Sequence, residues 1–507
     1  MPAVNDLLGN AILMFFVIPA GIASFDYFRQ KGAALAESAA YSMLAVVMAL
    51  SWLAQVLLLL GDNRVYLPAM TLCAVLACVR LVVCRSRIQT YMRSAYRFAG
   101  RHRLAVTGLM AAWGYTAAAY LLGIFGSNAP AAEFWQLLPD HPNGILAMRA
   151  HCLPVLNHLV FAAPWQPVSV APVALLAAYM AIGFGTYALA RRYAWPSMAV
   201  TVSLLVSGMP RLVYQSMAWG GGELPVAAAA LVSILALYRL IEKPIGVDLV
   251  MLFSTAAFTV EGGRLCYLIA LVLTALSVIL FVRRHGMDWL QLKDRLPRGQ
   301  LLVGLLAMVV FLQPGIVAAN LFWGRPWIGV LSHQTIIFNP DPLMGTMGNL
   351  VRYLLSALDF PELTDTFWRY VFGVELSTVL DLVYRRFVAS VIGSAGAATA
   401  FCRTSGCGGS HSWFGMVGFL LVLPAIAFSL WRGPRRLKAT ALAMLVYWML
   451  VALIVAWQPE NVRLMTVFFV CSGFFMAFSL PPWRLGRNGC LLLQILGILQ
   501  IVHVQLA

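Results

Sequence analysis

Long apolar runs recur along this chain, and they limit what it can fold into. One of them, residues 104–123, holds no charged residue and is long enough, as a helix, to cross a bilayer. We count about fourteen such segments, some of them too short to cross alone. The 61% hydrophobic content and the mean hydropathy of +0.83 exclude an ordinary soluble chain. The runs therefore predict an all-α fold, a polytopic transmembrane helical bundle.

Basic residues lie in short clusters between the apolar runs and predict which side each loop faces. The positive-inside rule assigns the cluster between the third and fourth spans to the cytoplasm. Alternation then places the clusters at 191–192, 239–243, 283–298, 432–438 and 484–487 on the same side. Despite the net charge of +16, this distribution is typical of topology determinants, so we expect no nucleic-acid partner. The cluster after the third span is Arg85, Arg87, Arg93, Arg97, Arg101 and Arg103.

Two polar stretches consequently face outward, into the periplasm if the cell is Gram-negative. The first, "EFWQLLPDHPNGILAMRAHCLP" at 133–154, concentrates carboxylates, histidines and an arginine in a chain that is only 11% charged. The second covers 320–413, where "LVRYLLSALDF" and "LDLVYRRFVASVIG" have the spacing of amphipathic helices. We expect these helices to lie on the membrane surface and to cap a cavity. The predicted location is the inner (plasma) membrane, with many spans and an active periplasmic face.

Two apolar segments are too short to cross a bilayer alone. Residues 195–207 precede "GMPRLVYQSMAWGGGE", and residues 248–260 precede "EGGR". A broken backbone at membrane depth is tolerated only where protein or water covers it. We therefore expect Glu223, Glu261 and Arg264 to line a cavity below the outer surface.

The chain shows neither an internal repeat nor a low-complexity linker, so we expect one integral domain with four parts. In the external part, Cys402 and Cys407 could form a disulfide or stay free thiols. The four parts are an N-terminal three-span bundle with a basic cytoplasmic loop at 1–103, a core at 104–319 with its first external loop at 124–168, an external membrane-surface region at 320–413, and closing spans at 414–507.

Four groups of polar residues converge on the outer side. They lie in the passage from 133 to 158, at Arg211 with Glu223, at Glu261 with Arg264, and in "WQPENVR". A carboxylate can deprotonate an acceptor hydroxyl, and arginines can hold a phosphate while charge develops on it. These parts suit the transfer of a sugar from a polyprenyl phosphate. For each single residue, the alternative is that it merely ends a helix at the interface.

The sequence carries neither a phosphate-binding loop nor a dinucleotide signature. We therefore expect no cytoplasmic nucleotide chemistry, no cofactor and no metal.

These features resemble the membrane-embedded C-type (GT-C) glycosyltransferases, in particular the bacterial branch with a "DALxYHLP"-like first external loop. "AMRAHCLPVLNHL" is similar to the tail of that motif. "QSMAWGGGELP" resembles a segment in which an acidic residue follows a glutamine, which makes Glu223 the counterpart. "NPDPLMGTMGNLVRYLLSALDFP" and "WQPENVRLMTVFFV" resemble later segments that carry an arginine, here Arg352 and Arg463.

The chain departs from the family at the loop aspartate, the usual catalytic base, because Ala147 stands there. Asp140, seven residues earlier, is our candidate for the base, and Glu133 is the alternative. Where relatives often have Thr-Lys, this chain has "TVEGGR", which places Glu261 and Arg264 there instead.

The resemblance implies a glycosyltransferase that moves a sugar from a polyprenyl-phosphate carrier to a glycan, lipid or protein acceptor at the outer face, among membrane lipids. The alternatives are an inactive GT-C-like subunit or lipid-binding scaffold, an envelope polysaccharide polymerase or ligase, and a transporter. A partner subunit could supply missing catalytic groups. The implied catalytic residues are Asp140 and Glu223, and the implied substrate-binding residues are Arg149, His151, Glu261, Arg264, Arg352 and Arg463.

Overall fold

The structure, a computed structural model, describes most of the chain. For some residues, Glu261 and Arg463 among them, only the backbone is described. The described residues are 2–60, 66–121, 160–162, 167–169, 171–217, 223–243, 246–261, 266–285, 299, 302–306, 338–357, 363–393, 395–397, 414–415, 417–480 and 482–506.

Nearly all of the described part is helical. Within it, strands β1 (Val160–Ala162) and β2 (Pro167–Ser169) form one short antiparallel pair. The helices are α1 Pro2–Gln30, α2 Leu35–Leu60, α3 Tyr66–Val83, α4 Arg85–Arg101, α5 Arg103–Leu121, α6 Ala171–Ala190, α7 Pro196–Ser207, α8 Pro210–Met217, α9 Glu223–Glu242, α10 Gly246–Glu261, α11 Cys266–His285, α12 Met344–Ala357, α13 Leu363–Phe372, α14 Leu376–Val383, α15 Ala389–Ile392, α16 Leu423–Arg432, α17 Arg435–Ile454, α18 Met465–Ser472, α19 Met476–Ser479 and α20 Pro482–Leu506. Single π-helical turns cover Tyr384–Val388 and Val417–Val422, and 3₁₀ turns cover Pro459–Leu464 and Gly473–Phe475.

Five of the described helices, α2, α6, α9, α11 and α17, are long and apolar enough to cross a membrane. A sixth span results if the bent pair α7 and α8 is counted as one. Several other apolar helices, such as Met465–Ser479, are shorter than a bilayer requires. The prediction of a helical membrane bundle is thus confirmed, whereas the count of about fourteen segments stays a prediction.

Helix α9 is the centre of the bundle, with 94% of its span buried. It packs against α2, α6, α10 and α18, and its run of four alanines, "AAAA", lets neighbouring backbones approach closely. The outermost span is α11, of which only 33% is buried. The bundle has one continuous apolar core, to which α2 contributes Tyr41 and Leu44. Helix α1 contributes Phe28 to the same core, and the division of the chain into four parts stays a prediction.

The basic segment between the third and fourth predicted spans forms helix α4, and its cytoplasmic location stays a prediction. It carries apolar and basic residues at helical spacing and has none of its residues fully buried. The Arg29 guanidinium lies 5.2 Å from the Tyr91 ring centroid, and the Phe98 ring lies 5.6 Å from that of Tyr187. These contacts hold α4 against the ends of α1 and α6, because its apolar face needs a partner.

Arginines from several predicted cytoplasmic clusters meet at one end of the bundle. Arg192 and Arg436 lie 2.7 and 3.5 Å from the Glu242 carboxylate, and Arg239 contacts both Glu37 and Asp248. We call this the basic end. Since α9 ends there and its 20 residues rise about 30 Å, Glu223 lies at the opposite end, which we call the far end.

The described part of the predicted external region packs on the far end of α17. Asn349 Nδ2 donates to the carbonyl oxygens of Ala452 and Val455 at 3.0 and 2.9 Å. The Trp457 amide donates to the Gly396 carbonyl at 2.7 Å. The two amphipathic runs form α12 and the segment from α14 through the π turn to α15, so their predicted helical form is confirmed.

Candidate functional site

Helices α7 and α8 form a break inside the bundle. Helix α7 starts near Arg192 at the basic end and rises for 12 residues, about 18 Å, against roughly 30 Å of hydrocarbon. Helix α8 then leaves at 66°. Pro210 starts it, which suits a residue that cannot donate an intrahelical hydrogen bond. A Cβ on Gly208 would lie 2.8 Å from the Gly497 carbonyl oxygen, so only glycine fits this junction. The predicted broken helix is therefore confirmed.

Helix α8 presents Arg211 and Gln215 on one face, because they lie four residues apart. Arg211 is only 8% exposed and Gln215 only 1%. The Gln215 amide nitrogen lies 3.5 Å from Oε2 of Glu223 at the start of α9. With the amide turned over, the oxygen takes the place of that nitrogen and accepts from Nη2 and Nε of Arg211 at 3.2 and 3.1 Å, so the bond to Glu223 and the bonds to Arg211 belong to alternative orientations. Gln215 therefore adjoins both a guanidinium and a carboxylate.

Further polar groups surround this cluster. Thr116 Oγ1 on α5 lies 3.4 Å from Ser216 Oγ on α8. Both hydroxyls also donate to carbonyls of their own helices, to Ala112 at 3.0 Å and to Val213 at 2.7 Å. The Arg211 guanidinium lies 6.0 Å from the centroid of a neighbouring tyrosine ring, Tyr214. Ionisable groups at membrane depth are costly and mark functional sites, so we define Arg211, Gln215 and Glu223 as the break cluster.

Arg352 on α12 makes four hydrogen bonds within the protein. Its Nε donates to Tyr384 Oη at 2.8 Å, and its Nη1 donates to Asn349 Oδ1 at 3.0 Å and to the Ala395 carbonyl at 2.8 Å. Its Nη2 donates to the Gly393 carbonyl at 3.0 Å. With the residue 0% exposed, these bonds tie α12 to the π turn and to the segment after α15. The structure thus gives Arg352 a positioning role, and its predicted phosphate contact stays a prediction.

The backbone of Arg463 lies in the 3₁₀ turn Pro459–Leu464, just before α18. The Tyr447 hydroxyl donates to the last carbonyl of this turn, that of Leu464, at 3.1 Å. Nine residues after the start of α18, the Phe474 ring lies 6.3 Å from that of Tyr238, near the basic end. Helix α18 therefore runs beside α9 in the same direction, and Arg463 lies toward the far end.

Glu261 is the last residue of α10, which starts near Asp248 at the basic end and rises 16 residues, about 24 Å. Its backbone therefore also lies toward the far end. The other predicted site residues, Asp140, Arg149, His151 and Arg264, lie outside the described residues, as do Glu133, Cys402 and Cys407. The cavity predicted around Glu223, Glu261 and Arg264 stays a prediction for this reason.

The sequence interpretation missed two features. It grouped Arg211 with Glu223 but gave Gln215 no role, although the four-residue spacing from Arg211 on a short helix is a usable signal. It also treated the basic clusters only as topology determinants. The acidic residues that pair with them, Glu37 and Asp248, stand in the first turns of apolar helices, where an isolated charge already indicates a partner.

The structure defines the class of this protein as a helical membrane protein with a charged cluster at a break in one of its spans. Comparisons with protein-family models, with curated proteins and with solved structures give no match. Within the described part of the chain, no group of three or more His, Cys, Asp or Glu residues could hold a metal ion.

Proposed function

We propose that this protein is a GT-C-type membrane glycosyltransferase that moves a sugar from a polyprenyl-phosphate carrier to an acceptor at the periplasmic face of the inner membrane. The observation that carries the proposal is the break cluster, in which Gln215 adjoins both Arg211 and Glu223 at a bend between two short helices. The order of motifs along the sequence supports the same class.

The proposed reaction is a single displacement. The acceptor hydroxyl attacks the anomeric carbon, the bond from that carbon to the phosphate oxygen breaks, and the hydroxyl proton goes to a carboxylate. Asp140 is our candidate for that base. Arginines hold the departing lipid phosphate, because a guanidinium donates two parallel hydrogen bonds to it. The candidates are Arg149, Arg211, Arg264 and Arg463, and His151 and Glu261 are further candidates for contacts with the substrate.

Glu223 holds a second role in this proposal, since its carboxylate sits at the start of α9 and beside Gln215. A carboxylate there can accept a hydrogen bond from a sugar hydroxyl. Gln215 in turn fixes the Arg211 guanidinium, because an amide oxygen accepts from two of its nitrogens. The break cluster therefore presents one cation and one anion at fixed positions, as a charged carrier and a neutral sugar require.

The first test measures transfer by the purified full chain in nanodiscs. The donors are polyprenyl phosphates that carry ¹⁴C-labelled hexoses or pentoses, and the acceptor is a native envelope extract. We expect Glu223→Gln and Asp140→Asn each to lower transfer by about 100-fold or more, because each removes a carboxylate that acts on the reacting groups. Glu242→Gln is the matched control, since that carboxylate is partly exposed at the basic end.

If the wild type transfers sugar and both variants transfer it at a similar rate, the roles assigned to Glu223 and Asp140 are wrong. A wild type that binds polyprenyl phosphate but transfers no sugar from any donor would overturn the transferase and favour the lipid-binding scaffold. The polymerase alternative predicts instead that only a polyprenyl pyrophosphate donor is used.

A second test measures binding of unglycosylated polyprenyl phosphate to the same nanodiscs. We expect Arg211→Gln to raise its Kd by about 10- to 100-fold, because a charge-assisted hydrogen bond contributes roughly 1.5–3 kcal/mol. Arg432→Gln is the control, since that guanidinium lies over the Trp431 ring at the end of α16, three residues before the start of α17 at the basic end. An unchanged Kd in Arg211→Gln would remove the break cluster from the donor site.

A further inference from the structure

A cavity of about 490 Å³ lies at the basic end, away from the break cluster. Helices α9, α11 and α17 enclose it with side chains near their basic ends. Two apolar residues form part of the wall, and four arginines form the rest. The lining residues are Ile241, Leu280, Arg283, Arg284, Arg435 and Arg436.

Three of these four arginines are exposed, and an anion among the four guanidinium groups offsets the repulsion between them. Among the described residues, the carboxylate that pairs with any of the four is Glu242, 3.5 Å from Arg436. Glu242 is already shared, since Arg192 donates to both of its oxygens at 2.7 Å. The cavity therefore attracts an anion that carries more than one negative charge.

The surroundings of the cavity indicate the kind of anion. Helix α11 is mostly unburied, and below its two arginines it exposes Leu271, Val278 and Ile279 by 63%, 52% and 47%. These side chains face lipid, because a span that is not covered by protein is covered by hydrocarbon. The helix that carries two of the four arginines thus also carries exposed apolar side chains over about 18 Å from Leu271 to Arg283.

We propose that this cavity binds the headgroup of an anionic phospholipid from the inner leaflet, with the acyl chains along α11. The arginines hold the headgroup phosphate, and the exposed Ile279 and Val278 begin the path of the chains. Basic pockets between spans on the cytoplasmic side have the chemistry for such headgroups. A role as topology determinants would account for arginines in the loops, but not for four of them around one cavity next to an exposed apolar helix face. This inference does not depend on the proposed function.

The test uses the purified full chain after removal of bound lipid. The Kd is measured for diphosphatidylglycerol, for phosphatidylcholine with the same acyl chains, and for inorganic pyrophosphate. We expect diphosphatidylglycerol to bind at least about tenfold more tightly than either of the others. In the double variant Arg284→Gln with Arg435→Gln, we expect the Kd for diphosphatidylglycerol to rise by about tenfold or more. The control, Arg432→Gln with Lys438→Gln, removes the same charge from residues outside the cavity lining and should retain binding.

An equal loss of affinity for diphosphatidylglycerol in both double variants would overturn the proposal, because any removal of two positive charges would then weaken binding to the same extent. Pyrophosphate that binds as tightly as diphosphatidylglycerol would also overturn it, in favour of a soluble anion. If the double variant does not fold, Arg284→Gln and Arg435→Gln are compared singly with Arg432→Gln. The affinity of each of these two single variants for diphosphatidylglycerol must then fall by about threefold or more, relative to Arg432→Gln, for the proposal to stand.

Discussion

At the scale of single residues, Arg352 shows how an arginine that resembles a substrate ligand can serve the fold. A buried guanidinium is stable only when its donors are satisfied. Here Asn349, Tyr384 and two backbone carbonyls supply the acceptors. The sequence could place Arg352 on an amphipathic helix, but not its acceptors, since they lie up to 43 residues away along the chain.

We predict that Arg352→Leu lowers the free energy of unfolding by at least about 3 kcal/mol, because several buried acceptors lose their partner at once. Denaturation in mixed micelles measures this. Arg386→Gln, on the adjacent π turn but exposed, is the control and should change stability by less than about 0.5 kcal/mol. Similar losses in both variants would show that Arg352 is not the connection described here.

The break cluster could be predicted from the sequence only in part. The shortness of residues 195–207 predicted the break, and Glu223 was expected to line a cavity there. The contact of Gln215 with both charged side chains was not predictable, because it depends on the 66° turn of α8. Rotating a helix by one residue would move Gln215 to another face.

At the scale of elements, the segment after α15 meets the start of α12 backbone to backbone. Gly396 has a φ of +72°, and a Cβ on it would lie 2.5 Å from the Cα of Gly345. The same segment accepts the Trp457 amide, so it also holds the turn before Arg463. Two glycines far apart in sequence thus join the external region to the end of α17.

We predict that Gly396→Ala destabilises the protein by about 2–5 kcal/mol, from the strained φ and the backbone clash together. Gly373→Ala is the matched control. Its φ is also +72°, but nothing lies within 4 Å of the added methyl, so it isolates the φ term of about 1–2 kcal/mol. Thermal unfolding of both variants measures the difference. Equal shifts would mean that the close approach of the two backbones is unimportant.

At the scale of the whole molecule, Arg239 joins three helices inside the basic end. It bonds to Glu37 of α2 and, through Nε at 2.7 Å, to Asp248 of α10. All three side chains are nearly buried. The sequence predicted that the basic clusters share one side of the membrane, but not that buried carboxylates bind them. Such pairing depends on how α2 packs against α9 and α10, which no local pattern specifies.

We predict that Arg239→Met lowers the free energy of unfolding by about 3–5 kcal/mol, since the buried Asp248 carboxylate loses its counter-charge and Glu37 keeps only its ion pair with Arg192. Glu242→Gln serves as the control. Its side chain is 44% exposed, so its ion pairs should contribute at most about 1 kcal/mol. The measurement is denaturation in mixed micelles at low salt. A small effect of Arg239→Met would show that water reaches this network.

The assignment of the two ends to the two sides of the membrane can be tested with introduced cysteines. Ser390→Cys lies on the exposed surface of the external region, and Ser86→Cys lies on α4 near the basic end. We expect a membrane-impermeant maleimide to label Ser390→Cys in intact spheroplasts and Ser86→Cys only after permeabilisation, with the wild type as background. The reverse pattern would invert the topology and move the break cluster to the cytoplasmic side.

Helix α20 has a consequence for the synthesis of this chain. It fills the groove beside α5, α7 and α8, where Gln494 bonds to Thr201 at 2.8 Å, 293 residues earlier in the sequence. At about 5–20 residues per second, a ribosome needs roughly 15–60 s to make that interval. During this time α7 and α8 have left the translocon without the helix that covers them. Lipid, a chaperone or the insertion machinery itself must shield the unfinished groove until α20 arrives.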